Sequence, residues 1–211
     1  MNEYYPGFSL KQPLFYRANF GIRFELGHLI EADDLLDVRY LERSYERARR
    51  LFESLHAPLD DLLIVMDVWH DGKEKSLKPM LGNYRRYVKK EWLFQLTVQT
   101  ITISEDGEDS FIERFCLKCR TKDIRYKALL KDICRQDLGM TPNISHPVYV
   151  INTRTKTIFN VYDDRGCDVI ATSVETLRPL YERYNDWILL YDREKIDALF
   201  QRSSCRNNRS L

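Results

Sequence analysis

HPVYVINTRTKTIFNVYDDRGCDVIA, residues 146–171, reads as three strands separated by two polar turns. VYVI at 148–151 places apolar side chains on both faces, which marks a strand inside a sheet rather than at its edge. IFNVY (158–162) and CDVIA (167–171) follow stretches of turn composition at 152–157 and 163–166. Three apolar strands in a row need covering layers, and the chain on either side has the patterns to supply them.

Toward the N-terminus, FGIRFEL (20–26) alternates Ile22, Phe24 and Leu26 against Arg23 and Glu25, a half-buried strand ended by Gly27. LLIVMDVW (62–69) is a buried strand that stops at His70-Asp71-Gly72. Residues 93–103 return to strand character; Leu96 and Val98 share one parity, Ile101 and Ile103 the other, a slip that predicts a bulge. SEDGED (104–109) is a turn, and 111–119 alternates Phe111, Phe115, Leu117 and Cys119 against Ile112, Arg114, Cys116 and Lys118, completing a hairpin.

Helical spacing appears at 41–55 through Leu41, Tyr45, Ala48, Phe52 and Leu55, and again at 122–136. Thr172-Ser173-Val174-Glu175 has the form of a capping box, opening a helix that buries Leu177, Leu180, Tyr181 and Tyr184, with Pro179 placed to kink or restart it. After an apolar run at 187–191, Asp192 is set to cap a last helix that buries Ile196, Leu199 and Phe200. Residues 1–19 read as a packed arm, 28–37 as loop with a short turn of helix, and 73–90 as a polar stretch with one short helical face at Tyr84, Tyr87 and Val88. The sum is an α+β fold, a mainly antiparallel sheet of roughly seven or eight strands with three or four helices packed on it. One domain over 1–200 and a disordered C-terminal tail over 201–211 are expected.

Composition narrows function. Lys plus Arg number 33 against 32 Asp plus Glu, so nothing in the overall charge calls for a polyanion. The arginines at 43, 47, 49 and 50 are interleaved with Glu42, Glu46 and Glu53, and Glu46 is spaced to pair with Arg50; nucleic acid is not the expected partner. There is no apolar run of membrane-spanning length and no export signal, so a cytoplasmic location is expected. Five scattered cysteines suit a reducing compartment, most of them acting as small core residues.

Chemistry is sparsely marked. Cys116 and Cys119 have C-x-x-C spacing, but in a strand residues three apart point to opposite faces, so neither a redox pair nor a metal site is expected. His28, His56, His70 and His146 show no zinc-ligand spacing, and phosphate-loop, dinucleotide and serine-elbow motifs are missing. No cofactor is expected. The densest polar group is Tyr162-Asp163-Asp164-Arg165. As a site it would offer a carboxylate base or metal ligand and an anion clamp; as a hairpin turn it would have aspartates accepting backbone N–H bonds, Arg165 pairing with a carboxylate and Gly166 at positive φ. The turn is the favoured reading and the site its alternative. Tyr84, Arg85, Tyr87, Lys89 and Trp92 would form a surface of hot-spot composition for a protein partner if they share an exposed face.

GIRFELG (21–27), RARRLFESL (47–55), YDDRGCDVIA (162–171) and LRPLYERYNDWILLYDREKIDALF (177–200) resemble the bacterial family of unknown function DUF3885. The resemblance runs over most of the chain, is most distinctive at 162–200, and brings with it no activity, cofactor or catalytic residue. By analogy with small cytoplasmic α+β proteins that bind and block a toxin, the expectation is a non-enzymatic protein that binds another protein, of immunity or antitoxin type.

Overall fold

A computed structural model describes residues 5, 7–27, 38–70, 84–105 and 108–207. Among these residues seven strands make one sheet: β1 (Gly21–Glu25), β2 (Asp61–His70), β3 (Leu96–Glu105), β4 (Glu108–Arg120), β5 (Val148–Asn152), β6 (Thr157–Val161) and β7 (Gly166–Ala171). Their order is β1-β7-β6-β5-β2-β4-β3, and every neighbouring pair is antiparallel. β5 lies at the middle of the sheet with all five residues buried, as the two-sided apolar VYVI requires.

Successive residues of the strands feed two cores, one on each face of the sheet. On one face, Ile64, Met66, Phe115, Leu117, Val150, Phe159 and Val169 meet four helices: α1 (Val38–Leu55), α2 (Tyr126–Cys134), α3 (Val174–Arg183) and α4 (Arg193–Asn207). α1 buries Leu41, Ala48, Phe52 and Leu55 on its inner side, while outside Arg50 donates to Glu46 at 2.8 Å, the pair its spacing predicted. On the other face, the arm supplies Tyr5, Leu10 and Leu14 to cover Val65, Tyr149, Ile151, Ile158 and Ile170. The sheet is therefore a middle layer between helices and an N-terminal strap.

Four local expectations are corrected. The β3–β4 register runs unbroken from Leu96↔Leu117 to Glu105↔Glu108, so there is no bulge; β3 is an outermost strand, and apolar residues of either parity are tolerated where neither face is fully covered. Ser173, not Thr172, caps α3, accepting from the Thr176 N–H at 3.3 Å, and Glu175 pairs with Arg178 at 2.8 Å. α3 does not restart at Pro179 but runs through it, with Leu177 and Leu180 on either side held in the core. Gly166 is not at positive φ. It is required because a Cβ there would lie 2.1 Å from the Tyr162 hydroxyl and 2.7 Å from the Phe24 carbonyl oxygen.

α4 continues to Asn207, seven residues past Phe200. The loop expected at 28–37, and the 73–83 part of the polar stretch, lie outside the described residues. No helix among the described residues is long and apolar enough to cross a membrane.

Candidate functional site

The Tyr162-Asp163-Asp164-Arg165 group is the β6–β7 connection, and the two aspartates diverge. Asp163 folds back on the turn: one oxygen accepts the Arg165 backbone N–H at 2.8 Å, and the other accepts from the Arg165 guanidinium, 2.8 Å from Nε and in a still closer contact with Nη2. Arg165 also reaches Asp137 at 3.1 Å, and its ionised form is stabilised by these carboxylates. Asp164 points the other way, into packing against α1, where Oδ2 accepts the Tyr40 hydroxyl at 2.6 Å and Oδ1 has no partner among the described residues. Burial raises the Asp164 pKa above the ordinary carboxylate range.

Tyr162, Asp163 and Arg165 border an open cleft of about 380 Å³, together with Gln12, Arg23 and Asp137. Its charges are already matched. The Arg23 guanidinium makes a two-point pair with Asp168, at 2.7 and 2.9 Å, and lies against the rings of Phe15, Tyr16 and Tyr162. Asp163 and Asp137 are held by Arg165. The Tyr162 hydroxyl, whose pKa burial raises, is a poor base or nucleophile near neutral pH. What this arrangement does well is pin a hairpin to the arm and to β1.

The expected partner surface is corrected. Tyr84 and Tyr87 are 2% and 4% exposed. Their rings cover the helix-side face of the sheet near β4, and their hydroxyls donate to the Phe115 carbonyl at 3.0 Å and the Asp132 carboxylate at 2.7 Å. Arg85 and Lys89 are exposed and Trp92 is half-buried, so three of the five residues reach the surface. Cys116 and Cys119 lie on β4 with their side chains in opposite cores, as strand geometry dictates, and burial pushes the Cys119 thiol up to about 12. No group of three or more His, Cys, Asp or Glu side chains among the described residues is placed to hold a metal ion.

A different surface stands out. Leu190 and Tyr191 are 81% and 86% exposed on a turn that is firmly held. Ile188 bridges to Phe24, the Leu189 N–H donates to the Arg23 carbonyl at 3.0 Å, and the Asp192 N–H donates to the Leu189 carbonyl at 3.1 Å. The Tyr16 hydroxyl donates to the Asp192 carboxylate at 3.0 Å, which sets the half-exposed Tyr16 ring beside the turn. The signal was present in WILLY (187–191): five consecutive apolar side chains are more than one face of a single short turn can bury.

The chain is 31% identical over 205 residues to the uncharacterized protein YnaE of Bacillus subtilis (strain 168), a match covering 90% of this chain and 96% of the relative. No solved structure matches. The model of the domain of unknown function DUF3885 matches residues 1–192, which takes in the whole sheet, the hairpin turn and the Leu190–Tyr191 corner; the chain belongs to that family.

Proposed function

We propose that this protein works by binding another protein, without catalysis, through the corner formed by Tyr16, Leu190 and Tyr191. The observation that carries the reading is the exposure of Leu190 and Tyr191 on a turn tied by main-chain bonds to the edge of the sheet. Large apolar and aromatic side chains held rigidly in water lose little conformational entropy on docking, which is the property of an interface anchor. The matched charges of the neighbouring cleft support binding over chemistry, since no carboxylate there is left to act as a base. An immunity-like role, blocking a toxin by surface complementarity in the cytoplasm, is the form of binding that the size and fold class favour by analogy.

The test is affinity capture from host lysate with the full chain, run beside Leu190→Ala and Tyr191→Ala. A stoichiometric partner retained by the parent chain and lost with the variants is the expected result. Recovery of chaperones alone, or a partner held equally well by all three proteins, would refute the reading.

A further inference from the structure

The two edges of the sheet are treated differently. The outer side of β1 is closed by the chain itself, through the Phe24–Ile188 bridge and the Leu189 N–H bond to Arg23. The outer side of β3 has no paired strand among the described residues, and Thr97, Val98, Gln99, Thr100 and Thr102 are exposed along it. Protein edges of this kind are ordinarily protected by brevity, a bulge, a proline or a lysine. β3 has none of these: it is ten residues long, pairs with β4 in an unbroken register, and from Leu96 to Ser104 contains no charge, proline or glycine.

We infer that β3 is a dimerisation strand, pairing antiparallel with β3 of a second copy to join two seven-stranded sheets into one. Charge selects both the occupant and the direction. The entrance to β3 carries a net positive charge, with Lys89, Lys90 and Glu91 exposed ahead of it, and its exit runs into SEDGED at 104–109, a sequence with four carboxylates. An antiparallel partner of the same sequence sets each basic end beside an acidic one, whereas a parallel copy would set like charges together. The uncharged strand between the ends brings no like charges into contact with itself.

The two-fold axis must stand perpendicular to the sheet, so residues that meet across it share a face and the helices of both copies stay on one side. With the axis at Thr100, Val98 faces Thr102 of the second copy and Gln99 faces Ile101, while Thr100 meets its own counterpart. Val98, 45% exposed in the single chain, thereby gains a β-branched neighbour.

Sedimentation of the full chain over about two decades of concentration should show a reversible monomer–dimer equilibrium that weakens with salt. Thr100→Lys sets two ammonium groups across the axis and should raise the dimer Kd by roughly a hundredfold or more, with unchanged circular dichroism. Thr100→Glu should do the same alone, and an equimolar mixture of the two should restore association. Amide exchange on the parent chain reads the same contact without any variant: the alternate β3 amides that point away from β4 should be slow at high concentration and fast on dilution. A chain monomeric throughout, a Thr100→Lys variant that dimerises as well as its parent, or outward-pointing β3 amides equally protected in the monomer would overturn the inference, the last by showing that the chain covers its own edge.

Discussion

Tyr40 on α1 donates its hydroxyl to Asp164 in the β6–β7 turn at 2.6 Å, joining residues 124 positions apart at a buried site. Among the described residues it is the one hydrogen bond the Asp164 side chain receives from another side chain, and it meets a carboxyl whose pKa burial has raised. A raised acid binds its proton more tightly folded than unfolded, so its stabilising effect is full in acid and is lost as pH rises from the ordinary 3.8 through the folded pKa.

Asp164→Asn should therefore be more stable than the parent chain at neutral pH, with the difference closing below about pH 4, because the amide keeps an acceptor for Tyr40 without a charge. Tyr40→Phe should cost about 1–3 kcal/mol, since it leaves Asp164 Oδ2 without that donor. Denaturant titrations at several pH values measure both.

How much of this could be read from the sequence follows from the range of each interaction. The inner face of α1, the central placement of β5 and the divergence of Cys116 and Cys119 are set by side-chain period, which is local, and the sequence carried them. The Tyr40–Asp164 bond and the burial of Tyr84 and Tyr87 depend on which segments meet in space. Composition could not distinguish a core tyrosine from a surface one, because both are amphipathic. Asp163 and Asp164 are adjacent, yet one faces the turn and the other the core, and only the register of β6 with β7 decides which.

The Arg23–Asp168 pair is the most enclosed charge in the sheet, with Asp168 fully buried and also accepting the Phe15 backbone N–H at 3.1 Å. Asp168→Ala should destabilise the fold by about 3–5 kcal/mol, because Arg23 is left buried among aromatic rings without its counter-charge. Arg23→Lys should also be costly, as an ammonium cannot make the two-point contact. Shifts in the midpoint of urea unfolding report both effects.

Gly166→Ala tests the close approach at the head of β7. The added methyl group collides with the Tyr162 hydroxyl and with the Phe24 carbonyl, so the β1–β7–β6 corner must open, and a loss of about 1–3 kcal/mol is expected. Adding Tyr162→Phe should recover only part of it, because the backbone oxygen and the ring carbon Cζ, each at 2.7 Å, remain. Full recovery would place all of the strain on the tyrosine hydroxyl.

His56 provides the opposite pH dependence to Asp164. Its Nδ1–H donates to the Phe52 carbonyl at 2.7 Å, its ring stacks on Phe52, and Nε2 is buried without a partner among the described residues, with Asp60 a nearby charge that favours protonation. Burial holds its pKa near 4 against an ordinary 6.5, so the unfolded chain takes up the proton first. Its contribution is complete above about pH 6.5 and is lost as pH falls toward 4, with a full span of about 3 kcal/mol. Where the windows of His56 and Asp164 overlap their slopes oppose, while Glu46, Glu53 and Asp60, whose pKa values are depressed, add their own loss toward acid below about pH 4.5. Asp164→Asn should uncover a profile that falls toward acid, and His56→Phe, which keeps the stacking on Phe52, one that falls toward neutrality. Parallel profiles for the parent chain and the His56 variant between pH 4 and 6.5 would show that His56 does not reach this buried, neutral state.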